Sequence, residues 1–238
     1  MELYGKQQHL YFIKQDLADR VKALVCGTIR GGRQGEMSRE MAVQANALAD
    51  QLIRSFESEN HLPHPIACRE GCSFCCFNQV ELTPPEALLI GDYVARNFSR
   101  EAQDGLMARV ARALCLKAGK SQKKLARLRQ QLPCPLLVGG RCSVYGVRPL
   151  VCRAMHAFDA GACEQELRRG KLGPGEYYPH RYEIIRSISA GLQTGCRELG
   201  CQTGVLDLDR ALQDFLAASD PMDRWIRGER VFHKVFHK

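Results

Sequence analysis

Cysteine is the residue type in this sequence whose number and spacing could do chemistry. Four of the twelve cysteines fall within the nine-residue stretch Cys68-Arg-Glu-Gly-Cys72-Ser-Phe-Cys75-Cys76. One buried cysteine behaves as a small hydrophobic side chain, but four so close together do not all fit a packed core. Clustered thiols bridge to each other or bind soft metal ions, and a Cys-x2-Cys turn lets two sulfurs reach one ion at about 2.3 Å. Gly71 permits the sharp turn that such a loop needs.

A second group of cysteines lies further along the chain and comprises Cys134, Cys142, Cys152 and Cys163. The glycine pair at 139–140 predicts a hairpin turn that would bring Cys134 and Cys142 together. A proline at 149 predicts a short helix that would place Cys152 and His156 one turn apart. His156 could then bind an ion or only form a hydrogen bond near the site, and we favour the hydrogen bond.

Length, composition and charge narrow the class of protein. The chain has 238 residues, of which 45% are hydrophobic and 25% charged, as in an ordinary soluble protein. No apolar run reaches the roughly 18 residues of a membrane span, and the first residues do not resemble a secretory signal. We therefore expect a cytoplasmic protein with reduced thiols, whose clustered cysteines bind metal or act in catalysis.

The net charge of +8 is also relevant to a metal site. Thiolates around divalent ions leave a negative site, so part of the basic excess could offset it. Four arginines lie beside candidate cysteines in the sequence, as this hypothesis expects: Arg69, Arg141, Arg148 and Arg153. The competing interpretation is that each is an ordinary surface residue.

The elements that must position the cysteines are predicted to be helices. Apolar residues recur every three or four positions over 7–26, from Ser38 to about residue 55, and over 84–96, 100–118 and 177–194, with a last helix capped by Asp207. Thr83, a proline pair and Glu86 together predict a capping box at one helix start. With few strand patterns and no βαβ alternation, the expected fold is mainly α, a helical domain with a cysteine-rich metal-binding knuckle built from loops.

Several further residues receive a structural interpretation at this stage. Cys115 lies on a predicted apolar helix face and should belong to the core. Gly195 should stop a helix. The basic run 117–129 is expected to be a solvated helix face rather than a contact for RNA or an acidic partner. The remaining expectations are that His61 and His64 are exposed, that Cys196 and Cys201 are free thiols, and that 225–238 forms a basic amphipathic arm.

The two cysteine groups together resemble a known family. Cys-x3-Cys-x2-Cys-Cys, Leu-Thr-Pro-x-Glu, and Cys-Pro-x-Leu followed by Tyr145-x2-Arg148-Pro and Cys-Arg are similar to the zinc- or iron-chelating domain of YkgJ-type CxxCxxCC proteins. The resemblance covers about residues 66–165 and implies a metal site. The opening Cys-x3-Cys is one residue longer than the family name indicates. A similar cluster occurs in flagellin lysine N-methylases, which keeps an enzymatic role open.

The expected organisation follows from this resemblance. Residues 1–65 would form an N-terminal helical segment, 66–165 the cysteine-cluster domain, and 166–238 C-terminal helices with a basic tail, in one unit. Eight cysteines would bind zinc or iron, either as separate ions or as an iron–sulfur cluster: Cys68, Cys72, Cys75, Cys76, Cys134, Cys142, Cys152 and Cys163. Because neighbouring side chains diverge, Cys75 and Cys76 would serve two ions, or one would bridge or stay a reactive thiolate.

Three functions fit these observations. The first is a metal-binding protein whose ions hold its loops together or are stored and delivered. The second is a metal- or iron–sulfur-dependent enzyme that modifies a protein or peptide. The third is an adaptor in which zinc is structural and basic segments contact RNA or protein. No membrane partner is expected.

Overall fold

The computed structural model describes residues 13–29, 32–69, 71–169 and 177–233. Within these ranges the fold is mainly α, as predicted. The helices are α1 Gln15–Thr28, α2 Gly35–Glu59, α3 Pro84–Asn97, α4 Arg100–Lys117, α5 Gln122–Arg127, α6 Leu150–Ala154, α7 Ala160–Arg169, α8 Pro179–Glu198, α9 Leu208–Ala217 and α10 Pro221–Ile226. In the part of the chain so described, no helix has the length and apolar content needed to cross a bilayer.

One hydrophobic core joins the long helices. Helix α1 packs along α8, α2 lies against α3, α8 and α10, and α9 contacts both α3 and α4. The largest fully buried side chains include Met41 of α2, Ile90 of α3, Ile188 of α8 and Trp225 of α10. Residues from the first and last parts of the chain therefore share a core with the central helices.

Two short antiparallel ladders connect the helices near the cysteines. Strand β1, Glu81–Leu82, pairs with β4, Leu206–Asp207, and so joins the start of α3 to the start of α9. Strands β2, Leu137–Val138, and β3, Arg141–Cys142, form the predicted hairpin. Its turn residues Gly139 and Gly140 have φ of +57° and +76°, a conformation that glycine adopts without strain.

The predicted start of α3 is confirmed and has a second role. Thr83 is the N-cap, and the carboxylate of Glu86 accepts hydrogen bonds from the Thr83 N–H at 2.8 Å and the Thr83 hydroxyl at 2.6 Å. The other Glu86 oxygen accepts the Leu150 N–H at 2.7 Å. One buried carboxylate therefore fixes the first turns of both α3 and α6.

Three helix boundaries differ from the sequence prediction. Helix α2 begins at Gly35 rather than after Ser38, because the Gly35 N–H donates to the Asp223 carboxylate of α10 at 2.8 Å. Helix α8 continues past Gly195, which is buried against Val25 of α1 instead of ending the helix. Helix α1 begins at residue 15 and leaves Ile13 exposed, and the part of the predicted helix before residue 13 lies outside the described residues.

Two surface assignments were also wrong, and a third holds in part. Cys115 is exposed, because α4 turns Leu106, Val110 and Ala113 toward the core. The basic run is not uniformly solvated: the Lys117 ammonium lies 2.7 Å from Asp207 and 2.5 Å from Asp209, and Arg129 is buried. The C-terminal arm is anchored by Trp225 and Phe232, both in the core; residues 234–238 of that prediction lie outside the described residues.

Candidate metal centre

The backbone brings the two cysteine segments into direct contact. The Cys134 N–H donates a hydrogen bond to the Cys76 carbonyl at 2.7 Å, and the Ala67 N–H donates to the Ala157 carbonyl at 2.9 Å. Each bond joins the first segment to the second across a large separation in sequence. The eight cysteines are therefore gathered in one region of the fold.

Several kinds of local structure present these cysteines. Cys75 and Cys76 lie in a 3-10 turn over Phe74–Phe77, which begins just after the positive-φ Gly71. Cys142 lies on β3, Cys152 on α6 and Cys163 on α7. Cys68, Cys72 and Cys134 are in irregular segments. Helix α7 continues past Cys163 to Arg169, and residues 170–176 lie outside the described ranges.

In the structure Cys163 lies near Cys68, Cys72 and Cys75 rather than with the other cysteines of its segment, and these four are the first group from here on. Burial and then the neighbouring Cys68 raise the pKa of Cys163 to about 11, with smaller effects of Cys72 and Cys75. A hydrogen bond with Cys76 and desolvation raise the pKa of Cys75. Desolvation also raises the pKa of Cys68. These thiols are close enough to influence one another's ionisation although Cys163 comes from a separate helix.

The second group consists of Cys134, Cys142 and Cys152. Burial, followed by the nearby Cys75 and Cys142, raises the pKa of Cys152 to about 12. Burial is also the main cause that raises the pKa of Cys134, on which Cys152 and Cys142 act as well. Cys75 thus affects the pKa of thiols in both groups, and we therefore place the Cys75–Cys76 pair between the two groups.

The donor set is chemically suited to soft metal ions. Thiols with raised pKa are neutral at pH 7, and a bound divalent ion removes the proton from a thiol that coordinates it. The eight candidate cysteines are free thiols rather than disulfide-bonded. Across the ranges that the structure describes, no three histidine, cysteine or carboxylate side chains already converge on a single ion position. Metal binding here would require rotation of thiol side chains on a backbone that already brings them close.

His156 has both ring nitrogens engaged. Nδ1 lies 2.7 Å from the Ala154 carbonyl, and Nε2 accepts the Tyr178 N–H at 2.7 Å. This arrangement requires the neutral ring with its proton on Nδ1, and burial lowers the pKa of His156 to about 4. Helix α6 ends at Ala154, so His156 is not on the same helix as Cys152. Both hydrogen bonds agree with the hydrogen-bonding role that the sequence favours for His156.

The arginines beside the cysteines have different roles. Arg153 is buried, forms an ion pair with Asp50 and donates to the Gly146 carbonyl at 2.8 Å, so it holds the turn before α6. The Arg148 guanidinium stacks 3.9 Å above the Tyr145 ring and lowers the pKa of nearby thiols, against the larger effect of burial. Arg69 and Arg141 are exposed. Arg148 therefore acts on the cysteines as the charge argument expects, and Arg181 likewise lowers the pKa of Cys68 against the larger effect of burial.

A cleft of about 550 Å³ opens beside the first group. Cys68, Cys72, Cys75 and Cys163 lie on its wall, and its aromatic lining is Phe74, Phe158, Tyr177 and Tyr182. Arg129, from the 3-10 turn Arg129–Gln131, also lines the cleft and is only 5% exposed. The thiols of the first group are therefore reachable by a molecule of moderate size.

The segment that contains the cysteines matches a known family. Residues 67–171 match the CxxCxxCC family model. That model is described as a "putative zinc- or iron-chelating domain". The matched CxxCxxCC segment contains all eight predicted cysteines and ends near the C-terminus of α7. The match supports metal binding in general terms. No curated protein and no solved structure matches the chain.

Sequence reasoning missed three features of the site. The sequence pattern places Arg129 in a solvated basic run. It gives Tyr182 no role beyond its predicted helix. It predicts that Glu86 caps a helix, but not that it links to α6. No local pattern distinguishes Arg129 from its neighbours. His61 and His64 are exposed, and Cys196 and Cys201 are buried free thiols, as expected.

Proposed function

We propose that this chain is a metal-binding protein in which thiolates from two segments hold two metal centres, each of zinc or iron. The observation that carries the proposal is the backbone hydrogen bond between Cys134 and Cys76, which places the two cysteine segments side by side. The family match over residues 67–171 supports the same conclusion.

We assign each cysteine to a centre according to which thiols affect one another's pKa. One centre would take Cys68, Cys72 and Cys163, and the other would take Cys134, Cys142 and Cys152. The adjacent Cys75 and Cys76 would each complete one centre, because neighbouring side chains diverge and the pair lies between the groups. Each centre then has four sulfurs, the number that suits tetrahedral zinc or a four-iron cluster.

The role of the ions would be to fix the loops that carry the cysteines. The first segment has a single 3-10 turn between Cys68 and Cys76, and much of the second segment is irregular. Structural metal sites supply folding free energy that short irregular segments lack. Removal of the metal should therefore loosen residues 68–76 and 134–163 more than the helical core.

Serine variants with a matched control test the two-centre arrangement. Cys163→Ser should lower the metal content of the purified protein from two centres to one, and Cys142→Ser should do the same for the other centre. Cys115→Ser should keep both, because Cys115 is exposed on α4. Elemental analysis of the three proteins gives the answer, and equal metal content in all of them would contradict the assignment.

The identity of the metal is a separate question with its own measurement. Anaerobic purification followed by zinc, iron and acid-labile sulfide analysis separates mononuclear sites from a cluster. Iron with sulfide and a visible absorption that oxygen bleaches would establish an iron–sulfur centre. Zinc without sulfide, together with loss of structure on chelation, would establish structural zinc.

A further inference from the structure

The Arg129 side chain is an unusual feature of the cleft wall. It is only 5% exposed, and its Nε and Nη1 atoms are buried without a hydrogen-bond partner. Within the described residues it forms no ion pair, although neighbouring Gln130 donates to the Leu167 and Arg168 carbonyls at 2.7 Å. A buried guanidinium without a counter-charge is costly, so an anion at this place would be strongly favoured.

The cleft that Arg129 lines has the properties of a small-molecule site. Its volume of about 550 Å³ falls within the range of roughly 300–1,000 Å³ that is usual for such sites. Four phenylalanine and tyrosine rings form its apolar wall, and besides the four cysteines its polar side chains are Asn78, Arg129, His156, Asp159 and Glu166. An aromatic wall beside one cationic anchor selects a ligand that combines an apolar body with a single negative charge.

We propose that this cleft binds a small organic carboxylate with an apolar or aromatic body, and that Arg129 is its anchor. The paired N–H edges of a guanidinium, which match the two oxygens of a carboxylate, are Nε with Nη2 and Nη1 with Nη2, so each edge of Arg129 includes one unpartnered atom. The aromatic wall formed by Phe74, Phe158 and Tyr182 would cover the ligand's body. This site goes beyond the metal-binding function, and it shares its wall with the cysteines of the first group.

The acidic residues of the cleft limit the charge of the ligand. Asp159 and Glu166 also line it, and neither forms an ion pair with Arg129 among the described contacts. The Asp159 carboxylate instead accepts the Gly161 N–H at 2.7 Å. These two carboxylates would repel a ligand with several negative charges, which favours a monoanion over a phosphate ester.

Benzoate and benzamide provide the test, because the two probes have the same ring and nearly the same shape but differ in charge. Titration calorimetry on the metal-loaded full chain, in a buffer without carboxylate or phosphate, should show benzoate binding at least about tenfold more tightly than benzamide, as expected for a charge-assisted hydrogen bond. Arg129→Met should abolish that preference, and Arg129→Lys should restore part of it. Arg127→Met, on an exposed residue of the same basic run, should leave it unchanged.

Other outcomes would overturn the proposal. Equal binding of the two probes by the wild-type protein, or binding of neither, is sufficient without any variant. If Arg129→Met instead lowers metal content while the wild-type protein ignores benzoate, the guanidinium balances the charge of the thiolates and no carboxylate site exists. Metal content is measured in the same samples, so failure of this proposal is distinguishable from failure of the two-centre arrangement.

Discussion

At the scale of single residues, His156 combines burial with two short hydrogen bonds. Its Nε2 accepts a backbone N–H, so protonation would turn an acceptor into a donor that faces another donor. This conflict and the loss of hydration keep the ring neutral. The folded-state pKa of about 4 therefore lies below the value of 6.5 for a free histidine.

The free energy of unfolding should therefore depend on pH. Stability from neutral His156 is complete above pH 6.5 and is lost as the pH falls toward 4, because only the unfolded chain takes up a proton in that window. The effect should amount to about 1–3 kcal/mol. His156→Gln should have a flatter dependence of unfolding free energy on pH between 6.5 and 4, measured by urea denaturation of metal-free protein.

The metal content gives a control for the same variant. Since His156 is engaged by backbone groups on both nitrogens, His156→Gln should bind as much metal as the wild-type protein. Loss of one centre in this variant would mean that His156 is a ligand and that its hydrogen bonds rearrange around the ion. An unchanged pH slope would show that the histidine ionises in the folded chain.

At the scale of elements, Glu86 connects two helix starts that carry different parts of the site. Its carboxylate accepts the N–H groups of Thr83 and Leu150, and burial raises its pKa. Helix α6, which begins at Leu150, carries Cys152. The position of this second-group cysteine therefore depends on a residue far away in sequence.

Substitutions at this cap and at a control position should lower the free energy of unfolding by different amounts. Glu86→Ala leaves two buried N–H groups without partners and should cost about 3 kcal/mol of unfolding free energy, since each unsatisfied group costs about 1–3 kcal/mol. Thr83→Ala should cost about 1 kcal/mol. Glu101→Ala, at an exposed position in the first turn of α4, should cost less than about 1 kcal/mol. Thermal or urea unfolding measures all three, and equal effects of Glu86→Ala and Glu101→Ala would contradict the linking role.

At the scale of the whole molecule, helix α1 packs closely on α8, a helix far from it in sequence. A Cβ added at Gly191 would lie 2.8 Å from the Val21 Cβ, and one added at Gly195 would lie 2.7 Å from the Val25 Cβ. Both are closer than carbon atoms can approach. The two glycines therefore set the distance between the helices.

Alanine substitution separates packing from helix propensity. Gly191→Ala should destabilise the protein by about 1–3 kcal/mol, because the helices must move apart. Gly105→Ala, in α4, meets only the flexible end of Arg109 at 3.5 Å and should stabilise by about 0.5–1 kcal/mol through helix propensity. Denaturation midpoints compare the two, and a stabilising Gly191→Ala would show that the contact is looser than described.

Local signals in the sequence determined the mainly α fold, the capping box at Thr83 and the hairpin around Gly139 and Gly140. Each depends on residues within a few positions of one another, so propensity and turn chemistry suffice. The cysteine spacing likewise indicated a metal site.

Tertiary structure alone decided which distant groups meet. The N-terminal cap of α2 comes from Asp223, the place of Gly195 is set by Val25, and Arg129 is buried while Arg127 of the same basic run is exposed. Nothing near these residues in sequence distinguishes them, because contacts between remote segments arise only when the whole core has packed. The close approach of the two cysteine segments belongs to this second class.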